Sequence, residues 1–297
     1  MSAIAPSPKS AIAYSPLKDD LFFPCKNAQF FMRGVPASDA ALCAEMVRLA
    51  YCRSDQDFTL SQAKTKAELG RVGFKVAGFF ESSGTPKGEG THCFLALRQD
   101  KKLAVVSFRG TDKDDPTDVA DDIDAIPVAW EKGGKVHQGF KTALAAVRDD
   151  LTKALDALKP LNARLLIAGH SLGAALATLL AGITTPSALY TFGSPLVGDA
   201  DFVATLQNVD NHRYVDCCDI VTRIPPEDLG YRHLGKPYYI AQDRSITFDP
   251  GDGFILKDRA AASLEYPFKY QAWKEGNVGL RELADHAPVN YVTAVMG

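Results

Sequence analysis

Short apolar runs alternate with helical patterns along this chain. Leu103–Phe108, Leu165–Ala168 and Ala188–Phe192 are each strand-length and apolar apart from Ser107 and Thr191, as expected of strands buried on both faces. His212–Val215 reads as a further strand, and residues 71–80 and 91–98 as two strands rich in Phe and Val. The Gly/Pro/Ser stretch 82–90 between those two predicts a hairpin. Helical spacing predicts a helix from a Ser38 cap to about Arg53, with Leu42, Met46, Leu49 and Ala50 on its inner face. A second helix runs to about Leu158, an Ala/Leu-rich one follows Gly173, and a short one spans about Asp199–Leu206. Towards the C-terminus the pattern predicts an edge hairpin over 231–248, loosely helical structure over 258–283 and a closing helix from Asp285 to Val295. Residues 1–37, with Pro24, Pro36 and the clusters Leu21–Phe23 and Phe30–Met32, read as an arm laid over the core. Strands alternating with helices, with no repeat and no linker, predict one α/β domain over 1–297 with a mostly parallel central sheet.

Composition narrows the function classes. The 297 residues are 46% hydrophobic, enough for a full core, and carry 33 Lys and Arg against 36 Asp and Glu. That mixed, slightly negative balance with no basic run argues against nucleic-acid binding. No apolar run approaches membrane-spanning length. The Pro-containing N-terminus has no apolar signal core, which predicts a cytoplasmic location unless a signal was removed or another export route is used. The six cysteines, at 25, 43, 52, 93, 217 and 218, match no zinc spacing and read as reduced, mostly buried thiols, with a Cys217–Cys218 or Cys25-linked disulfide as the alternative if the protein is exported. An acidic stretch with Asp112, Asp114, Asp115, Asp118, Asp121, Asp122 and Asp124 fits no calcium loop and reads as a solvated face.

The chemistry centres on Gly169-His170-Ser171-Leu172-Gly173, a G-x-S-x-G between a predicted strand and a predicted helix. That context makes Ser171 a candidate nucleophile on a strained strand-to-helix turn, with glycines where a Cβ would strike neighbouring backbone. Serine needs a base, and histidine titrates near neutrality. His212, His233 and His286 follow Ser171. His286 sits in the last element, whereas His233 lies in a predicted strand, so His286 is the favoured base. His170 flanks the nucleophile and reads as packing or hydrogen bonding. For the orienting acid, Asp216 and Asp219 both follow the His212–Val215 strand, and Asp219 lies further into the loop. Asp199 and Asp201 read as helix caps. The N–H of Leu172 is one expected oxyanion donor, and Thr111, after Phe108-Arg109-Gly110, is the candidate for the other.

The sequence resembles the class 3 (fungal-type) lipases of the α/β-hydrolase superfamily. The resemblance rests on Phe108–Thr111, Val136–Phe140, Gly169–Gly173, Tyr190–Pro195, Asp219–Pro226 and Asp285-His286, in that order, across about residues 70–295. It implies an α/β-hydrolase fold and cofactor-free hydrolysis of carboxylic esters, with a triacylglycerol lipase as the leading reading. It implies Ser171, Asp219 and His286 as the triad, which settles the choice between Asp216 and Asp219, with Thr111 and Leu172 as oxyanion donors. Family members often carry an amphipathic lid soon after the F-R-G-[ST] motif. Here that stretch, 112–135, is acidic, with Val119, Ile123, Ile126 and Val128 as its apolar members. Residues 250–275, with Phe254, Leu264, Phe268 and Trp273 among their apolar members, are the alternative lid or cap. A short-chain, phospholipid or feruloyl-type esterase on the same triad is the close alternative. A catalytically silent binding protein on this fold is the competing class, and it predicts a missing triad member. The expected partner is an ester or lipid substrate at a lipid–water interface. The sequence leaves chain-length preference and oligomeric state open.

Overall fold

Each apolar run becomes a strand with both faces covered. The computed structural model of the chain describes residues 13–24, 29–32, 34–52, 60–82, 90–110 and 126–296. Twelve strands occur among them: β1 (Lys75–Glu81), β2 (His92–Arg98), β3 (Leu103–Phe108), β4 (Pro127–Ala129), β5 (Lys135–His137), β6 (Arg164–His170), β7 (Ala188–Phe192), β8 (Gly198–Asp199), β9 (Asn211–Asp216), β10 (Tyr231–Arg232), β11 (Pro237–Ile240) and β12 (Ile246–Phe248). The helices are α1 (Lys18–Phe22), α2 (Asp39–Leu49), α3 (Gln62–Arg71), α4 (Gln138–Leu158), α5 (Leu172–Ala181), α6 (Ala200–Thr205), α7 (Asp252–Lys269), α8 (Arg281–Ala284) and α9 (Pro288–Val295).

The main sheet has eight strands in the order β1-β2-β3-β6-β7-β9-β11-β12. Its interior, β3-β6-β7-β9-β11, is parallel, and antiparallel strands finish both edges. Side chains alternate between two cores, as the period of a strand requires. On β3 and β6, Val105, Leu166 and Ala168 join the core that includes α2 and α9. Val106 and Ile167 join the core built on α4 and α5. A small sheet, β10-β8-β5-β4, lies beside them.

The described part of the N-terminal arm is pinned at several places. Arg48 and Glu45, an ion pair buried on α2, hold one part: Arg48 donates to the carbonyls of Pro24 and Gln29, and Glu45 accepts from the N–H of Phe31. Ser15 and Asn290 exchange two hydrogen bonds between the arm and α9, and Pro16 and Lys18 bond the backbone of Val278 and Gly276.

Five expectations are corrected. The closing helix begins at Pro288, whose ring suits a first helical position, and not at Asp285, which leaves Asp285 and His286 in the turn after α8. The helix capped by Ser38 ends at Leu49, with Ala50 already its C-cap, rather than at Arg53. Residues 71–74 are not strand. They close α3, which sequence reading missed because only Thr65 and Leu69 of its ten residues are buried. The 231–248 hairpin is split: Tyr231–Arg232 pairs with β8, and β11 lies parallel to β9, leaving β12 as the edge. The loosely helical stretch is a continuous helix over Asp252–Lys269, followed by turns and α8. The acidic residues 112–124 and Thr111 lie outside the described residues.

Candidate active site

The turn between β6 and α5 places Ser171. Its backbone sits at φ 58°, ψ −131°, a conformation side chains rarely adopt and the mark of a strained elbow. Two glycines make room for it. A Cβ on Gly169 would lie 2.1 Å from the carbonyl oxygen of Gly173, and one on Gly173 would lie 2.6 Å from the carbonyl oxygens of Phe108 and Arg109. The elbow therefore packs directly against the end of β3, where the Phe108-Arg109-Gly110 loop begins. Leu172 opens α5, so its N–H has no partner within the helix and is free to meet a developing negative charge.

Asp219 and His286 meet at the same end of the sheet. His286 Nδ1 lies 3.0 Å from each oxygen of the Asp219 carboxylate, and both residues are buried. The carboxylate also accepts from the N–H of Val221 at 2.9 Å and from the hydroxyl of Tyr291 at 2.5 Å. Burial alone would push the Asp219 carboxyl up, but His286 and the Tyr291 hydroxyl outweigh it and hold it below the usual carboxylate range. Ser171 is tied to this pair through β7. Its N–H donates to the carbonyl of Phe192, and a Cβ on the next residue, Gly193, would touch Asp219 Oδ2 at 2.7 Å and His286 Nδ1 at 3.1 Å. Ser171 and His286 are not hydrogen-bonded to each other in this structure; in free enzymes that contact is often long and tightens on the substrate complex.

His170 joins the elbow to the histidine loop from behind. Tyr51 Oη lies 2.7 Å from His170 Nδ1, and His170 Nε2 lies 2.8 Å from the carbonyl oxygen of His286. Because a carbonyl only accepts, Nε2 carries the proton and Nδ1 accepts from the Tyr51 hydroxyl. That hydroxyl oxygen in turn accepts from the N–H of Gly110 at 3.0 Å. Burial, reinforced by the neighbouring His286, pushes the His170 imidazole well below its ordinary range, so it stays neutral. One neutral side chain thus links the loop before Thr111 to the loop carrying His286.

The alternatives weighed in the sequence go elsewhere. Asp216 is held by Arg244 Nη1, at 2.8 and 2.7 Å from its two oxygens, and Asp199 caps α6. His233 Nε2 bonds the carbonyl of Thr222, and His212 stacks between Tyr190 and Tyr238. Tyr51 and Tyr291 were not legible as site residues. Neither lies in a motif, and each reaches the site only through long-range packing.

A family model described as "Lipase (class 3)" matches residues 105–229, the stretch that supplies the elbow, Gly193 and Asp219. The lipase of Rhizomucor miehei is 30% identical over 172 residues, 53% of this chain and 47% of that protein. A secreted mono- and diacylglycerol lipase of Penicillium cyclopium is 39% identical over 124 residues, 38% of this chain and 40% of that protein.

Over residues 105–229 the chain matches the class 3 lipase family.

A solved structure of the Rhizomucor miehei triacylglyceride lipase is 27% identical, with a TM-score of 0.56 over 70% of this chain and 80% of that one. Such neighbours give the chain the α/β-hydrolase fold. The matched stretch spans half or less of the length of the curated relatives named above. One element of the chain stands apart from the site motifs. Helix α7 buries Ala262 and Tyr266 on one face, while Leu256, Leu264 and Phe268 on the other are 66%, 76% and 76% exposed. Trp273, 69% exposed, meets Phe268 edge-on just beyond the helix.

Proposed function

We propose that this protein is a serine carboxylic-ester hydrolase, in its leading reading a triacylglycerol lipase, with Ser171, His286 and Asp219 as its triad. The observation that carries the reading is the buried Asp219 carboxylate on Nδ1 of His286, beside a serine held in an elbow. With Nδ1–H committed to Asp219, Nε2 is the ring nitrogen left to take the Ser171 proton. Ser171 Oγ then attacks the acyl carbonyl, and the oxyanion is met by the N–H of Leu172, with Thr111 as the second donor. The tetrahedral intermediate collapses, the alcohol leaves with the proton from His286, and an acyl-Ser171 ester remains. Water, deprotonated by the same imidazole, releases the fatty acid. The scheme requires no cofactor.

The lipid reading is supported by the relatives' names and by the apolar face of α7. Leu256, Leu264, Phe268 and Trp273 offer a surface suited to a lipid–water interface, so residues 250–275 are the proposed interfacial segment. The same reading takes residues 1–297 as one hydrolase domain. No helix among the described residues is long and apolar enough to cross a membrane. The Penicillium relative is named as secreted, which favours export over the cytoplasmic default drawn from the sequence. Fractionating the native host decides that point.

The test is hydrolysis of p-nitrophenyl esters from acetate to palmitate, followed by emulsified triolein. Activity on long chains that rises once substrate forms an interface supports the lipase. Activity confined to soluble short, phospholipid or feruloyl esters overturns it in favour of the esterase. Ser171→Ala should abolish turnover, a loss on the order of a millionfold by analogy with other serine nucleophiles, while leaving the fold intact. Retained turnover in that variant would overturn the triad.

A further inference from the structure

Directly before Asp219 stand two thiols that the proposed mechanism does not use. Cys217 and Cys218 are free and buried, with their sulfurs 3.6 Å apart. A ligand atom of each and one of the Asp285 carboxylate all lie within 4.8 Å of one another. Asp258 Oδ2, on α7, is 3.2 Å from Cys217 Sγ but does not share the mutual spacing of the other three. We propose that Cys217, Cys218 and Asp285 form a three-donor site for a thiophilic divalent cation of the zinc type, with water as the fourth ligand.

The spacing fits the coordination sphere. With zinc–sulfur bonds of about 2.3 Å and zinc–oxygen bonds of about 2.0 Å, a tetrahedron has S···S edges of about 3.8 Å and S···O edges of about 3.5 Å. The 3.6 Å between the two sulfurs is within a few tenths of an ångström of the S···S edge. Lone pairs are available. The Asp285 carboxylate accepts from Tyr14 Oη at 2.7 Å, Arg281 Nε at 3.0 Å and the Cys218 N–H at 2.9 Å. Those bonds leave about one of its four lone-pair directions free. Asp258 Oδ2 accepts from the Tyr239 hydroxyl, the Gln242 N–H and the Cys217 thiol, and keeps the first two when that thiol ionises.

Charge balances as well: one divalent cation displaces the two thiol protons, M²⁺ + 2 RSH → M(SR)₂ + 2 H⁺. The local net charge is unchanged, and Arg281 keeps its pairing with Asp285. The donors come from two segments. Cys218 adjoins Asp219, and Asp285 adjoins His286. A bound cation would therefore cross-link the loops that carry both acid–base members of the proposed triad.

The experiment uses the full-length, tag-free, reduced protein titrated with cadmium, whose thiolate complexes absorb in the ultraviolet. The expected result is one cadmium per chain, a thiolate charge-transfer band, and release of about two protons per ion bound, with zinc competing. Cys217→Ser/Cys218→Ser should bind at least a hundredfold more weakly and lose the band, with its far-UV circular dichroism unchanged. Wild-type protein that binds no stoichiometric cadmium, or a double variant that keeps the band, overturns the site. If the double variant fails to fold, Cys217→Ser alone provides the second test. It should weaken cadmium at least tenfold and cut the band by about half, and unchanged affinity overturns the site. These readouts are independent of ester hydrolysis, so they stand or fall separately from the proposed activity.

Discussion

Tyr291→Phe removes one hydroxyl and leaves the ring in place against Phe192 and His170. The hydroxyl does two things. It donates to Asp219 Oδ2 at 2.5 Å, and its oxygen accepts the buried N–H of Asp216 at 3.1 Å. A hydrogen bond to a charged group contributes about 1.5–3 kcal/mol, and an orphaned buried donor costs about 1–3 kcal/mol. Both effects come from the same atom and overlap, so the expected destabilisation is on the order of 3 kcal/mol. Phenylalanine fills the same space, so almost none of this is a cavity effect.

A double-mutant cycle in guanidinium chloride, with Asp219→Asn as the second substitution, isolates the charged part. In the amide background the hydroxyl has only a neutral partner, worth about 0.5–1.5 kcal/mol, so a coupling on the order of 1 kcal/mol is expected between the two sites. In turnover, Tyr291 acts through Asp219 and touches no substrate. Its loss should lower kcat several-fold and leave KM unchanged. Stabilities that add to within about 0.5 kcal/mol, or an effect on KM alone, refute the reasoning.

Gly193→Ala forces a side chain to φ +59° and sets a methyl 2.7 Å from Asp219 Oδ2. It should cost about 1–2 kcal/mol for the backbone alone, and kcat should fall on the order of a hundredfold as the Asp219–His286 contact is pried apart; wild-type kcat would contradict this. His233 is pushed down to about 3 by burial and by the Arg213 cation. The unfolded imidazole titrates near 6.5, so the unfolded chain binds the extra proton between those values. Its contribution is therefore complete above about pH 6.5 and is lost as pH falls towards 3, at up to about 1.4 kcal/mol per pH unit. His233→Gln should flatten that acid limb in denaturant titrations, and an unchanged limb would remove the assignment. Replacing Leu264, Phe268 and Trp273 together by Ser should weaken adsorption to triolein droplets on the order of a hundredfold, at about 1 kcal/mol or more per side chain. Hydrolysis of soluble esters should be unaffected, and undiminished droplet binding would show that α7 is not the interfacial face.

Whether a feature could be read from the sequence depended on how locally its cause is written. The elbow was legible because its constraints fall within five residues: Gly169 and Gly173 are needed where backbone passes within 2.1–2.6 Å of a would-be Cβ, and the flanking apolar runs announce strand and helix. The central strands were legible because burial on both faces leaves largely apolar runs. Helix α3 was not, because it buries two side chains and otherwise faces solvent, so its periodicity is faint. The segment 231–248 misled for the opposite reason. It has strand-like composition throughout, but its first two residues are claimed by β8 in another sheet, a choice made by tertiary contact alone. The supports of the candidate triad belong to the same class. Tyr51 lies 119 residues from His170, and Tyr291 lies 72 residues from Asp219, so no spacing rule connects them. The three proposed donors beside Asp219 show the limit most clearly. A cysteine count finds no zinc pattern because such patterns describe ligands close together in one segment. Here only Cys217 and Cys218 are adjacent, and Asp285 arrives on a loop 67 residues further along.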